Sequence, residues 1–442
     1  MYQDLTAGPI GRSLIRFALP MMAGNLLQQL YNIADTLIVG RVLGSGALAA
    51  VGSAYTLMTF LTSIFLGLSM GAGALYSIYQ GQGDQGRLRS AVFHGFLLIL
   101  SVTVLVNLGV YLGLGGILRF LRVPEEIVPG MKAYLLVIFG GILATSLYNY
   151  CSCLLRALGN STVPLVFLAV SAILNIGLDL LFVAVLPWGI AGAAWATVIS
   201  QYAAAVGIGA YVLLRCRLLL PKREERRFSG AMLREIWNLS ALTCLQQSVM
   251  NFGILMVQGL VNSFGATVMA AFAAAVKIDT FAYLPVQDFG NAYSTFIAQN
   301  YGAGQKERIR RGTRAALGMT VVFSLVLSLL VCLFAGPLMG IFVKSTETAV
   351  IAQGVRYLRI EGACYCGIGI LFLLYGYYRA VKLPGMSVIL TVISLGTRVA
   401  LAYLLAGLVG VWGIWAAIPI GWALADIAGL GYMPRSRKIQ NL

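Results

Sequence analysis

Four long stretches of this chain are predominantly apolar: Ala91–Gly115, Leu165–Val185, Thr320–Phe334 and Met386–Gly407. They approach the roughly 20 residues that an α-helix needs to cross a bilayer. No water is present in the hydrocarbon layer to satisfy backbone N–H and C=O groups, so a spanning segment must be a helix or a strand of a closed barrel. Barrel strands alternate in polarity over about 10 residues. These stretches do not alternate, and helices follow. Composition agrees: 59% of the 442 residues are hydrophobic and only 10% charged, against roughly 25% charged in a soluble domain.

The pattern predicts an all-α polytopic membrane protein with twelve transmembrane helices in two pseudo-symmetric six-helix lobes. The first six are expected at 14–40, 47–79, 91–117, 130–156, 161–185 and 189–214. The second six are expected at 237–262, 267–299, 312–337, 351–378, 386–407 and 411–432. Residues 1–214 form the expected N-lobe, 215–235 a cytoplasmic linker and 236–442 the C-lobe. The halves repeat in sequence. Leu27-Gln28-Gln29 returns as Leu245-Gln246-Gln247, and Gly81-Gln82-Gly83 with Arg87 and Arg89 returns as Gly302-Ala303-Gly304 with Arg308 and Arg310. Tyr134-Leu135 and Arg156-Ala157 return as Tyr357-Leu358 and Arg379-Ala380, and Gly189-Ile190 as Gly413-Ile414. The offset stays between 218 and 224 residues. Because six helices separate the copies, both insert the same way round, which is the parallel repeat of many transporters, with a substrate cavity expected between the lobes.

The net charge of +16 does not point to nucleic acid. With both termini in the cytoplasm, the inner side gathers Arg12, Arg16, Arg87, Arg89, Arg156, Arg215–Arg234, Lys306–Arg314, Arg379, Lys382 and the basic tail. The outer side keeps only Arg41, Arg119, Arg122, Lys132, Lys344, Arg356 and Arg359. That is the positive-inside bias, and it predicts a multi-pass protein of the cell (inner) membrane whose basic loops meet the inner leaflet of the lipid bilayer. Six of the seven cysteines fall inside expected helices, His94 is the single histidine, and neither Cys-x-Cys pair has ligand histidines nearby. No cofactor, resident metal or disulfide framework is expected. The polar N-terminus lacks the short apolar core and small-residue cleavage site of a signal peptide. Clustered acids for Mg²⁺ or a His with a nucleophile, which an intramembrane enzyme needs, are missing as well.

Carboxylates on spanning helices are expensive and mark function by default. Asp35 lies on the first helix and Asp179 on the fifth, where Asn175 precedes it by four residues and shares its face. Counting 1.5 Å per residue, Asp35, Asn175, Asp179 and Thr197 all fall in the outer half of the membrane, with no Lys or Arg of that lobe at their depth. Such a pair is suited to taking up a proton or to holding Na⁺ through oxygen atoms; the alternative is two neutral carboxyls hydrogen-bonded to their own helices. In the second lobe Lys277, Asp279, Glu361 and Arg398 reach a common depth and read as a self-neutralised ion-pair network. Gln247, Asn251, Asp279, Tyr283 and Asp288 are candidate substrate contacts, Tyr283 through stacking on a flat cation.

In order along the chain, several motifs resemble those of the multidrug and toxic compound extrusion (MATE) family of cation-coupled exporters. They are Asn32-x-x-Asp35-Thr36-x-x-x-Gly40, Leu154-x-Arg156-Ala157-x-Gly159-Asn160, Asn175-x-x-x-Asp179, Gly189-x-x-Gly192-Ala193-Ala194-x-Ala196-Thr197 and Gln299-Asn300-x-Gly302-Ala303. The resemblance covers nearly the whole chain. It implies secondary active export by alternating access, of lipophilic and often cationic small molecules, in antiport with H⁺ or, second in order, Na⁺, by a monomer. In the branch with an acidic N-lobe, the cation site maps onto Asp35, Asn175, Asp179 and Thr197. A branch with a helix-7 glutamate finds only Gln246, Gln247 and Asn251 here. Two other transporter types share parts of this plan. Lipid-linked precursor flippases often add helices that are missing here, and the major facilitator loop differs from Asp84-Gln85-Gly86-Arg87.

Overall fold

The computed structural model describes residues 3–120, 125–126 and 128–433. Arg122 and the basic tail beyond Met433, both counted in the charge bias, lie outside the described residues. Among those residues there is no strand, and the helices, apart from a short 3₁₀ turn at Arg217–Leu219, are numbered as twelve, one of them in two segments. These are α1 (Ile10–Leu43), α2 (Ser45–Gln82), α3 (Gln85–Phe120), α4 (Val128–Ala157), α5 (Thr162–Val185) and α6 (Gly189–Arg215). The second set is α7 (Gly230–Asn262), α8 (Ala266–Gly302), α9 (Lys306–Phe342), α10 (Thr348–Gly362 and Tyr365–Ala380), α11 (Pro384–Val409) and α12 (Val411–Tyr432).

Ten of these are long and apolar enough to cross a membrane, and α10 makes eleven if its two segments, bent by 51°, form one span. The twelfth, α1, has 34 residues, about 50 Å of helix at 1.5 Å per residue. Asn25, Gln28, Gln29, Asn32 and Asp35 lower its apolar character below that of its neighbours. Large apolar side chains such as Leu105, Leu112, Ile173, Leu333 and Leu408 are exposed on the helix surfaces. A monomeric soluble protein would not leave so much apolar surface in water; lipid covers it here.

The backbone repeats as the sequence does. Glycines with left-handed φ stand at Gly44, Gly83 and Gly189, and again 221 residues later at Gly265, Gly304 and Gly410. Each ends a helix or opens the next, a conformation that costs glycine no Cβ clash. The repeat of Gly189 is thus Gly410 in backbone terms, three residues before the Gly413 matched by sequence. The fourth helix of each half also breaks at equivalent places: α4 tightens to a 3₁₀ turn at Phe139–Gly141, and α10 bends at Ala363–Cys364.

The chain divides into two compact units, one holding Gln3 with Ala23–Cys244 and the other Asp4–Met22 with the chain from Leu245 onward. The unit boundaries run through α1 and α7 and not through the linker, so the first turns of each half's leading helix count with the other unit. Close packing explains the α7 case. A Cβ on Gly67 or Gly71 of α2 would come within 2.5 Å of the backbone of Cys244 or Ser240, and Ser240 donates to the Leu68 carbonyl at 3.0 Å.

The linker is held within the first unit. Arg89 pairs with Glu225 at 2.8 Å, with both side chains only 16% exposed. His94, fully buried, accepts the Ser229 N–H on Nε2 at 2.9 Å, while its Nδ1 lies 2.8 Å from the Ser90 carbonyl. In the second unit Arg308 donates to the carbonyls of Leu5, Ala7 and Gly8. Asn300 and Gln299 hold both backbone groups of Leu5.

Candidate functional site

Three helices of the first unit bring the expected N-lobe residues together. Asp35 of α1 is half-buried, while Asn175 and Asp179 of α5 are buried at 2% and 0% exposure. The carboxyls of Asp35 and Asp179 face each other within hydrogen-bonding reach, and no Lys or Arg acts on either. Asn175 Nδ2 donates to Thr197 Oγ1 of α6 at 3.4 Å, and Thr197 Oγ1 donates to the Ala193 carbonyl at 3.1 Å. Tyr134 of α4, buried, lies in electrostatic reach of both acids.

Local sequence explains the placement. After Asp179 the α-helix widens to a π-helix over Leu180–Val185, a rare geometry that recurs at functional sites. Phe182 stacks on Trp188 at 4.6 Å, turning the chain into α6. Gly192 then lets α6 approach: a Cβ there would lie 3.0 Å from the Phe182 carbonyl. The fully buried Ala193, Ala194 and Ala196 keep α6 close, so that Thr197 meets Asn175.

The site is short of donors. Asp35 Oδ1, Asn175 Oδ1 and both Asp179 oxygens are buried without a hydrogen-bond donor. Unsatisfied buried acceptors are rare in native proteins and call for an explanation such as a missing ion or proton. An all-oxygen set with two carboxyls fits a proton, shared between them, and equally fits Na⁺ as transported cargo. Thr36, inside the same motif, is not part of it; its hydroxyl is used on the Asn32 carbonyl at 2.7 Å.

The C-lobe expectation needs correction. Asp279, Glu361 and Arg398 do converge, with Tyr357 and Tyr365 among them. Lys277 does not join: it is exposed, because two residues along a helix turn the side chain by about 200°. Arg398 acts on both carboxyls at a distance, and among the described residues it forms no direct ion pair. Of the candidate substrate contacts, Gln247 and Asn251 share one face of α7, and Asp279 and Tyr283 share one face of α8. Tyr283 is half-buried, 6.3 Å from the Phe372 ring. Asp288 is buried, but nine residues beyond Asp279 it stands on the opposite side of α8. Gln247 is buried and Asn251 half-buried on α7.

Two motifs that the resemblance stresses do other work. Gly159 has a φ of +86°, and a Cβ there would sit 2.0 Å from the Gln3 carbonyl; Gln3 N–H in turn donates to the Gly159 carbonyl at 3.0 Å. Gln299 and Asn300 hold Leu5, as described. Both motifs seat the N-terminal segment. Tyr134 is a site residue that its own apolar surroundings do not single out in the sequence, although its return as Tyr357 in the repeat is a usable signal.

The family model MatE matches the chain twice, over residues 20–181 and 241–404. "Probable multidrug resistance protein YpnP" of Bacillus subtilis is 31% identical over 97% of this chain and 96% of its own length. "Probable multidrug resistance protein NorM" of Thermotoga maritima is 26% identical, covering 91% of this chain and 88% of its own. The "FAD transporter" of Shewanella oneidensis is 26% identical, covering 96% and 94%. Among solved structures, an outward-facing multidrug resistance MATE family transporter of the MOP superfamily superposes with a TM-score of 0.93 at 22% identity. It covers 99% of this chain and 97% of that one, a likeness of fold.

Proposed function

The chain belongs to the MatE family and is a multi-pass membrane transporter, not an enzyme; we propose that it exports lipophilic, often cationic, drugs or metabolites by alternating access in exchange for protons. The observation that carries this reading is the facing pair Asp35 and Asp179, three of whose four carboxyl oxygens are buried without a donor and on which no Lys or Arg acts. Asn175 and Thr197 complete the cage for the coupling ion. Protonation from the outer side favours substrate release, and loss of the proton to the cytoplasm resets the cycle. Na⁺ is the second candidate for the same oxygens.

One relative is named for FAD, an anion, so relatives carry more than one substrate class. Cationic cargo suits proton exchange here, since one proton exchanged for one monovalent cation is electroneutral and leaves the pH gradient to drive the cycle. The charge bias of the loops supports an orientation with both termini and the Arg215–Arg234 linker in the cytoplasm of the inner membrane. Cells expressing the protein, assayed across a panel of lipophilic cations with and without a protonophore, test the proposal. Export that collapses with the pH gradient is expected. Export indifferent to the protonophore and dependent on Na⁺ would replace H⁺ as the coupling ion, and export of anions alone would overturn the substrate class.

A further inference from the structure

The fourth helix of the first unit is not one regular rod. Between its outer segment, which carries Tyr134, and its inner segment lies the 3₁₀ turn Phe139–Gly141. The sequence there is Phe139-Gly140-Gly141, and two successive glycines weaken any helix. A 3₁₀ turn rotates the chain by about 120° per residue against about 100° in an α-helix, so three residues turn the outer segment by about 60° relative to an unbroken helix. Tyr134, buried, stands less than two turns from the break. The groups that act on it are Asp35 and Tyr31 of α1, Asp179 of α5 and Tyr55 of α2. The rotation of the outer segment therefore decides whether this ring meets the Asp35–Asp179 pair.

A break inside the hydrocarbon layer frees backbone carbonyls that only neighbouring helices can satisfy. Three side chains do so here. Asn107 of α3 donates its amide to the Phe139 carbonyl at 2.7 Å, and Tyr111 of α3 donates to the Leu136 carbonyl at 2.9 Å. Tyr202 of α6 donates to the Gly140 carbonyl at 2.9 Å. The same helix packs tightly on the break, where a Cβ on Gly141 would clash with the Gln201 amide. Thr103, four residues before Asn107 and on the same face of α3, meets Ser146 hydroxyl to hydroxyl at 2.6 Å. That contact holds the inner segment, on the far side of the break from Tyr134.

The second unit repeats the place but not the ties. Aligned on Gly83 and Gly304, an offset of 221, Thr103, Asn107 and Tyr111 correspond to Ser324, Ser328 and Cys332. Aligned on Tyr134 and Tyr357, an offset of 223, Leu136 corresponds to Arg359 and Ser146 to Gly369. The Cys332 thiol faces the Arg359 carbonyl at 3.8 Å, as Tyr111 faces that of Leu136. There the likeness ends, because the shorter Ser324 and Ser328 hydroxyls reach no partner. The untied α10 bends by 51° at its break, whereas Val128–Ala157 runs on as one span. The side chains that tie the break thus set its geometry.

We propose that Asn107 and Tyr202, by holding the Phe139–Gly141 turn, are positioning residues for ion coupling: they fix the rotation of the outer α4 segment and keep Tyr134 against Asp35 and Asp179. The inference rests on the reading of those two acids as the coupling pair. Neither residue touches the ion or the substrate, and their effect runs through Tyr134. Tyr111 adds a third tie, on the outer segment itself. With an apolar group in place of either donor, a carbonyl is left unsatisfied in lipid. The turn then relaxes toward α-helical hydrogen bonding, which undoes the rotation and carries the Tyr134 ring off the pair.

Two readouts separate positioning from mere stability. A fluorotyrosine at position 134 reports the surroundings of the ring by fluorine NMR of the purified protein, and efflux from proteoliposomes at a series of pH values reports coupling. Asn107→Leu and Tyr202→Phe should each move the fluorine resonance; the second removes a single oxygen and guards against misfolding. Each should lower efflux driven by a pH gradient by about threefold to tenfold, the worth of one hydrogen bond, and displace the pH profile in the direction that Tyr134→Phe does. Thr103→Val, which removes an α3–α4 hydrogen bond on the inner segment, should leave both readouts at wild type. Added to Tyr134→Phe, neither Asn107→Leu nor Tyr202→Phe should lower efflux further. The positioning role is overturned if both variants leave resonance and profile unchanged, if Thr103→Val moves them equally, or if their losses add to that of Tyr134→Phe. Asp35→Asn, measured alongside, keeps the two levels apart. Uphill efflux by that variant removes the coupling reading itself, while its failure to pump, with an unmoved resonance in Asn107→Leu and Tyr202→Phe, removes the positioning role alone.

Discussion

Asp35 on α1 and Asp179 on α5 set their carboxyls against each other although 144 residues separate them in the chain. Neither is neutralised by a cation, so the pair is at ease only when it holds a positive ion. Asp35→Asn or Asp179→Asn supplies a neutral mimic of the protonated acid. Either variant should fold and retain substrate affinity within about threefold of wild type, because the charge it removes is unpaired and its loss strands no partner. Fluorescence or calorimetric binding titrations on monodisperse protein check this; failure of both variants to fold would make the pair structural.

Asn175 and Thr197 touch at the edge of that pair through one hydrogen bond of 3.4 Å. Asn175→Ala or Thr197→Val should weaken coupling less than loss of an acid does, by about fivefold for a bond worth about 1 kcal/mol net. Transport rates at several pH values, compared with wild type, give the measurement. An effect as large as that of Asp35→Asn would mean that the amide or hydroxyl, and not the carboxyl, dominates ion binding.

His94 is the chain's single histidine, and its role is to hold the linker. Since Nε2 accepts the Ser229 N–H, the ring proton sits on Nδ1 against the Ser90 carbonyl. His94→Ala should leave transport of saturating substrate near normal while the Ser229 amide exchanges with solvent about fivefold to tenfold faster. Hydrogen exchange with mass spectrometric readout of the 218–232 region tests it, and unchanged protection there would contradict the docking role.

Charge bias also makes a topological prediction. Single cysteines placed in Arg215–Arg234 or Lys306–Arg314, in a background without the seven native ones, should react with impermeant reagents only from the cytoplasmic side. Labelling from outside intact cells would invert the orientation and the direction of proton flow.

Much of this molecule was legible in its sequence for specific reasons. The helices follow from unbroken apolar stretches that lipid alone tolerates, and the two halves from matches that the left-handed glycines repeat at a fixed offset of 221. Asp35, Asn175, Asp179 and Thr197 stood out because polar atoms in spanning helices are rare and helical spacing aligned two of them. Other features needed coordinates. Lys277 shared a depth with Asp279 and Glu361, but depth alone says nothing of azimuth, and the helix turns it outward. The π-helix after Asp179 has no distinctive composition. The anchoring of the N-terminal segment by Gly159, Asn300 and Arg308 depends on contacts hundreds of residues apart. The Thr103–Asn107–Tyr111 face was within reach of a helical count, yet single polar groups in apolar helices carry too little signal until their partners are known.

Efflux from proteoliposomes tests most directly the proposal that Asp35 and Asp179 carry the coupling ion. Wild type and purified, folded Asp35→Asn would be compared under an imposed pH gradient and then under an imposed Na⁺ gradient. Wild type should move substrate uphill on the pH gradient and far less on the Na⁺ gradient, and Asp35→Asn should equilibrate substrate without concentrating it on either. Uphill pumping by Asp35→Asn on either gradient would place the coupling site elsewhere and contradict the account.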